Sequence, residues 1–248
     1  MSGRTALVTG ASSGIGQAAA RLLAGEGWRL VLVARREERL RGLAEELGDA
    51  AWVAVDLTDP GAPGRVREKL EELGGGLQLL VNNAGSSSRE AFGDGGYENV
   101  RRTMEINFDA VLRLTEGLLP LLRRSAPSSI VNVSSIAGRV GRPKTGAYSA
   151  SKFALAGWTE VLRLEERRNG VHVGLVLPGF ISTEGFPQKE LTSRAITRWM
   201  VSTPDRAAKA ILRAGPGRRA EVAVPRPWTL IPRLRYALPG VWRRVGPR

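Results

Sequence analysis

Tyr148 and Lys152 are separated by four positions in the run Tyr148-Ser149-Ala150-Ser151-Lys152, and on a helix that spacing puts a phenol and an ammonium on one face. A free phenol titrates near about pH 10 and is a poor base at neutral pH, whereas a neighbouring cation favours the phenolate and draws that value down. Such a pair can pass a proton to or from a bound oxygen. The spacing alone recurs by chance, so other polar residues must decide its meaning. Ser134 and Ser135 close one apolar, β-branched run, Asn82-Asn83-Ala84-Gly85 closes another, and Asn107 lies in a long helical segment between them. Any one of these reads as a cap or turn former. Together they gather at the carboxyl edge of a parallel sheet, where such sheets bind ligands.

A second constellation opens the chain. Thr9-Gly10-Ala11-Ser12-Ser13-Gly14-Ile15-Gly16 follows the first β-branched run and starts a helical segment. Backbone N–H groups and the positive helix end then face whatever lies above the turn, which suits a pyrophosphate. Glycine is needed where a side chain would block that approach. The spacing is G-x-x-x-G-x-G and not the commoner G-x-G-x-x-G. The next apolar run ends in Val33-Ala34-Arg35-Arg36. An acid at this point takes a ribose 2′-hydroxyl; Ala34 removes that carboxylate, and Arg35 offers a planar fork to a 2′-phosphate. The plainer reading is an exposed arginine pair opening a charged helix.

These residues need a frame that brings them to one edge. Hydrophobic periodicity predicts strands at about 5–9, 29–34, 51–55, 77–81, 130–133 and 172–177, with a weaker one at 221–224. Helices are predicted at about 15–26, 37–47, 62–73, 99–122, 148–168 and 204–214. Strands alternating with helices imply an α/β, doubly wound domain with a mostly parallel seven-stranded sheet covered on both faces. Residues 1–214 are expected to form the binding and catalytic unit, with a lid at about 180–203, where periodicity is weak just past a strand end. Residues 215–248 supply the last strand and a tail.

Composition narrows the chemistry. The 248 residues include no cysteine, which excludes disulfides and thiol nucleophiles and fits a reducing cytoplasm; no metal site is expected. The apolar stretch after Met1 closes at Gly10, too short for a secretory leader, and no run approaches the roughly 18 apolar residues of a membrane span. The net charge of +13 would suit an anionic partner. Eight arginines against Glu221 alone, from Gly215 onward, place +7 of it in the tail. With the charge concentrated in a proline-broken segment and no nucleic-acid module present, no nucleic-acid partner is expected. Gly10-Ala11-Ser12-Ser13-Gly14 also matches the G-x-S-x-G elbow of hydrolases, but their triad needs a histidine. His172 is the sole histidine, and it alternates with Val171 and Val173 at a strand start, far from the strand ends. Asn132-Val133-Ser134 fits a glycosylation sequon but falls within a buried strand.

Over about residues 4–214 the chain resembles the short-chain dehydrogenase/reductase family, in the form with a YxxxK active site. The family's motifs occur in order: TGxxxGIG as Thr9 to Gly16, NNAG as Asn82 to Gly85, a serine ahead of YxxxK, and the PG turn as Pro178-Gly179 followed by Thr183. The resemblance implies a Rossmann-type fold and an oxidoreductase that passes a hydride between NADP(H), with NAD(H) as the alternative, and a small-molecule carbonyl or secondary alcohol of lipophilic character. It implies Tyr148 as general acid/base, and Lys152 as holder of the nicotinamide ribose and tuner of the tyrosine. Ser135 is implied on the substrate oxygen, since the family's usual gap of thirteen residues before the tyrosine selects it over Ser134, and Asn107 in a proton relay through water.

For the cofactor, the same resemblance implies Gly10, Ser12, Ser13, Gly14, Ile15 and Gly16 at the pyrophosphate turn and Arg35 and Arg36 at the 2′-phosphate. Asp56 and Leu57 are implied at the adenine, and Asn83, Ala84 and Gly85 on the adenosine side. Pro178, Gly179, Ile181 and Thr183 would lie near the nicotinamide. Many NADP-selective relatives carry a basic residue just before the second motif glycine; Ser13 stands there in this chain, leaving the phosphate to the two arginines with the hydroxyls of Ser12 or Ser13. A homodimer or homotetramer is implied as well. An inactive, cofactor-sensing relative is opposed by the intact set Asn107, Ser135, Tyr148 and Lys152.

The tail has its own texture. Six prolines from Pro216 to Pro247 forbid a long helix, while aromatic and aliphatic residues alternate with arginine. One expectation is peripheral membrane contact, with Trp228, Tyr236 and Trp242 at the headgroup boundary and arginines on anionic lipid. The other is packing over the substrate cleft or a neighbouring subunit.

Overall fold

The computed structural model describes residues 3–87, 89–184 and 200–240. β1 (Thr5–Thr9), β2 (Arg29–Ala34) and β3 (Ala50–Ala54) alternate with α1 (Gly14–Gly25), α2 (Glu37–Leu47) and α3 (Ala62–Glu72). β4 (Leu79–Asn82) leads into α4 (Phe92–Met104), which runs through a π-helical turn at Glu105–Asp109 into α5 (Ala110–Arg124). β5 (Ser128–Val133), α6 (Gly146–Glu166), β6 (Val171–Pro178), β7 (Phe180–Ile181), β8 (Val201–Ser202), α7 (Pro204–Ala214), β9 (Glu221–Val224) and α8 (Leu230–Ala237) complete the order.

The main sheet is parallel throughout, in the order β3-β2-β1-β4-β5-β6-β9. Because the winding reverses between β1 and β4, the loops leaving those strands diverge and open a crevice at the carboxyl edge. Strand alternation divides the core. Ala6 and Val8 face the side packed by α1, α2 and α7, and Leu7 faces the side packed by α3 and α5. Leu114, Leu118 and Leu121 recur at helical spacing on α5 and are essentially solvent-free. Burying a leucine of this kind contributes about 1.5–3 kcal/mol.

Three elements differ from their predicted form. The helix predicted from 99 begins at Phe92 instead, but Gly96 interrupts it at φ +56°, a left-handed position open to glycine. Regular periodicity therefore starts only beyond that break. The same helix is predicted unbroken to 122, whereas the π turn at Glu105–Asp109 divides it. In the tail, α8 forms despite Pro232, since eight residues need few internal hydrogen bonds and proline is tolerated in a first turn. The short parallel pair β7–β8 brackets the segment expected as a lid, most of which lies outside the described residues.

Candidate active site

At the cofactor end, Thr9 links the ends of β1 and β4. Its Oγ1 accepts from the backbone N–H groups of Asn83 (2.9 Å) and Ala84 (3.0 Å) and donates to Val81 O (3.2 Å). Asn83 Nδ2 donates to Thr9 O at 2.9 Å, so this amide's first duty is to brace the turn. Gly10 has φ +66°, and a Cβ there would stand 2.8 Å from Asn83 Nδ2. A Cβ on Gly16 would run into the Gly10 carbonyl and the same amide. The turn is thus bare at Gly10 and Gly16 because its own packing forbids side chains at those two positions.

Arg36 lies over this turn. Its Nε and Nη2 donate to Ser12 Oγ (3.2 and 2.9 Å), and Nη2 also donates to Ser13 Oγ (2.7 Å). Arg35 points instead to Asp56, 3.6 Å away and exposed. Asp56 also accepts from the Thr58 N–H and hydroxyl, and these contacts, the Thr58 N–H first, hold its carboxyl below its ordinary value. Leu57 is buried in the core against the α3 side and is not among the residues lining the main cleft.

That cleft, of about 710 Å³, opens beside the turn. Ile15, Asn83, Gly85, Pro178, Gly179, Ile181 and Thr183 line it, as do Ser134, Ser135, Tyr148 and Lys152. β5 ends at Val133, and Ser135 caps a short helical turn, its Oγ accepting from Ala137 N (3.1 Å) and donating to Pro178 O (3.2 Å). Ser134 donates to Lys152 O at 2.9 Å, which ties β5 to α6. Its hydroxyl is therefore engaged by the scaffold.

Lys152 is buried, and its Nζ donates to Val133 O at 3.0 Å and lies 5.9 Å from the Tyr148 ring centre. Burial disfavours the ammonium and lowers its pKa to about 8. Tyr148 shows the opposite displacement from the one its neighbour predicts. Burial raises the phenol above its ordinary value, and the Ser135 hydroxyl and the Arg142 charge offset only part of that rise. A lysine weakened by its own burial and turned toward a carbonyl does not dominate the tyrosine here.

Asn107 lies in the π turn, fully buried. Its Oδ1 accepts from Ser86 N (2.9 Å), and its Nδ2 donates to Ser86 O (2.9 Å) and Ser151 Oγ (3.0 Å). A Cβ on Gly85 would meet Asn107 Oδ1 at 2.7 Å and Lys152 Nζ at 3.6 Å, so these three residues converge behind the cleft. π turns recur at functional positions because they rotate a side chain off the helical register.

Several cleft residues escape sequence reasoning: Val140, Arg142 and Met200; Trp228 and Ile231 of the tail also line it, as the second expectation for the tail had them. Trp228 follows that second expectation, packing at the cleft, and not the headgroup boundary. It is buried, donates Nε1–H to Met200 O (3.1 Å), and meets the Phe180 ring edge-on with centres 5.6 Å apart. A Cβ on Gly179 would stand 2.6 Å from the indole nitrogen, so the PG turn makes room for this tryptophan. The available signal was topological, because β9 pairs with β6 and delivers the chain to the carboxyl edge beside Pro178. Trp242 lies outside the described residues. His172 Nε2 donates to Ala214 O (2.9 Å), away from the cleft, and Asn132 is fully buried, as a strand reading of both requires.

Comparison with known proteins agrees with this geometry. A family model described as short chain dehydrogenase matches residues 4–193. Bovine dehydrogenase/reductase SDR family member 7B (Bos taurus) is 35% identical over 187 residues, 71% of this chain and 58% of its own length, so the chain spans under two thirds of that relative. The hydroxysteroid 11-beta-dehydrogenase 1-like protein of Gallus gallus is 36% identical over 241 residues, 94% of this chain and 81% of the relative. Among solved structures, that of a point variant of actinorhodin polyketide ketoreductase with NADPH superposes with a TM-score of 0.82 at 31% identity, covering 90% of this chain and 95% of the other. With the turn, the sheet order and the family model in agreement, this chain belongs to the short-chain dehydrogenase/reductase family of oxidoreductases.

Proposed function

We propose that this protein is an NADP(H)-dependent reductase of carbonyl compounds, with Tyr148 as its general acid. The observation that carries the reading is the convergence of Ser135, Tyr148 and Lys152 in one apolar-walled cleft next to a glycine turn. The residues present fit a dinucleotide, because both Gly10 and Gly16 must stay bare and the serine hydroxyls beside them already engage a guanidinium. Gly10 to Gly16 would hold the pyrophosphate, Arg36 with Ser12 and Ser13 the 2′-phosphate, and Ile181 and Thr183 the nicotinamide end. When bound, the cofactor supplies or accepts the hydride.

The protein's own groups do the rest. Ser135, fixed by Ala137 and Pro178, orients the substrate oxygen, and Tyr148 delivers a proton to it. A phenol whose pKa is raised by burial is protonated at neutral pH, the form a carbonyl reduction needs. Lys152 can return a proton toward the tyrosine, since a value of about 8 leaves both of its forms populated near neutrality. Asn107, braced by Ser86 and Ser151, holds the wall behind Lys152. The chicken relative's name supports lipophilic substrates, and the NADPH in the ketoreductase supports the cofactor choice.

The test is cofactor consumption across a panel of ketones, aldehydes and secondary alcohols, with NADPH and NADH side by side. Faster oxidation of NADPH by at least one carbonyl is expected; consumption of neither cofactor by any member overturns the reading. Self-association is part of the proposal, supported by the exposed Val161 and Leu164 on α6. So is contact of the tail with anionic membranes from a cytoplasmic location, supported by Leu230, Leu234, Tyr236 and Leu238, all exposed on or beside α8 among arginines. Among the described residues no helix is long and apolar enough to cross a membrane.

A further inference from the structure

The proposed reaction leaves part of the cleft unexplained. Its walls are apolar, built from Val140, Phe180, Ile181, Met200, Trp228 and Ile231, yet Arg89 and Arg142 also line it. No aspartate or glutamate lines it among the described residues. Lys152, the third cation, is at the buried end and engaged with Val133 O, so among the described residues the two arginines are the charges lining the cleft outside the reacting centre. Arg142 remains solvent-accessible, and its guanidinium stacks over the Phe180 ring at 4.9 Å, while Phe180 in turn packs on Trp228. That stack fixes the direction of the guanidinium along one wall. No ion pair takes up Arg142 among the described residues.

We infer that the substrate of this site is an amphiphilic anion, an apolar carbonyl compound bearing a carboxylate or similar acidic group, whose charge is received by Arg142 with support from Arg89. The inference rests on the proposed carbonyl reduction and names its substrate class. A ligand anion in the cleft would meet the accessible Arg142 guanidinium, whose direction the Phe180 ring already fixes. Burial, and after it the nearby Arg89 charge, hold the Arg142 pKa below its ordinary value. Arg142 also lies close enough to Tyr148 for each to perturb the other's titration. The cofactor's phosphates do not account for this pair, because the anion cradle is at the Gly10–Gly16 turn, where Arg36 already lies. A guanidinium against an aromatic wall binds a carboxylate through charge-assisted hydrogen bonds while the ring and its neighbours hold the apolar body.

The test uses the full chain saturated with NADP⁺ and two inert probes of one shape, octanoate and octanamide, titrated by calorimetry. Tighter binding of octanoate by roughly tenfold, the scale of one charge-assisted hydrogen bond, is expected at low salt. Arg142→Gln should remove most of that preference, Arg142→Lys should keep part of it, and Arg89→Gln should reduce it less. Equal binding of the two probes by the wild type, no binding of octanoate, or an unchanged preference in Arg142→Gln overturns the inference. A parallel assay of NADPH oxidation with levulinate and its methyl ester separates the two claims. Turnover of the neutral ester as fast as the acid sinks the anion preference and leaves carbonyl reduction standing. Turnover of neither, nor of any carbonyl in the ketone and aldehyde panel, beside an intact octanoate preference, sinks the reductase reading instead.

Discussion

The two ends of the cleft solve different electrostatic problems with different materials. At the cofactor end, the turn between β1 and α1 is glycine-rich backbone with two serine hydroxyls, and its cation, Arg36, is exposed and hydrogen-bonded to those serines. At the proposed reaction end, between β5 and α6, the candidate groups are side chains withdrawn from water: Lys152 at 4% exposure, Ser135 at 9%, and Asn107 at none. A phosphate is already charged and needs donors that can approach it, which glycine and a helix start provide at little cost in desolvation. A proton donor needs its acidity changed, and burial is what changes it. The difference teaches that binding here is a matter of local chain geometry, whereas acid/base chemistry depends on the packed core.

The largest way to break that contrast is to remove the proton donor alone. Tyr148→Phe is expected to lower turnover by about 10² to 10⁴, the usual range for a general acid, with NADPH affinity changed less than about twofold. Steady-state rates and a fluorescence titration of the cofactor check it. A variant keeping more than about a tenth of wild-type turnover removes Tyr148 from the role.

Lys152→Met sharpens the claim that burial does the tuning. With its value lowered from 10.5 to about 8, the folded state releases a proton that the unfolded chain keeps between those limits. Stability from this group therefore rises with pH across that window, and below about pH 8 the buried ammonium costs about 3 kcal/mol. Loss of the bond to Val133 O returns about 1 kcal/mol of that. The methionine variant should be more stable by about 2 kcal/mol at pH 7, with the gap closing toward pH 10.5, as read by urea unfolding at both values. A variant no more stable at pH 7 than at high pH shows the lysine is not strained by burial.

At the other end the expected effects are smaller. Arg36→Gln should weaken NADPH binding by about tenfold while leaving NADH nearly unchanged, and Arg35→Gln should do less, because Arg36 is the one coupled to Ser12 and Ser13. Adding Ala34→Asp should move preference further toward NADH by repelling the phosphate. Equal losses in both arginine variants would show that the phosphate is shared between them. The smallest effect concerns the tail: co-sedimentation with anionic vesicles should fall severalfold at low salt when Leu234 and Tyr236 are replaced by serine, and neutral vesicles should show no such difference. Unchanged sedimentation refutes the membrane contact.

Much of the frame was legible because it is written in local patterns. β-branched runs marked six strands within about two residues, and the β1–α1 turn, the Asn82–Gly85 motif and the Tyr148–Lys152 spacing each span only a few neighbouring residues. Less was legible where glycine hid a helix, as at Gly93 to Gly96, or where a register change leaves no periodic trace, as in the π turn that places Asn107.

What the sequence by itself determined is the family of the chain and the parallel sheet, and it picked out the side chains proposed to react, because motif spacing and alternation are properties of neighbouring residues. What only the tertiary structure decided lies in contacts between distant segments. Trp228 reaches the cleft because β9 pairs with β6 and Gly179 leaves space for the indole. Arg142 faces the cleft because Phe180 and Trp228 form the wall it stacks on. The acidity of Tyr148 and Lys152 follows the same rule: spacing set them side by side, but their desolvation, produced by every element packed around them, moved the phenol up and the ammonium down.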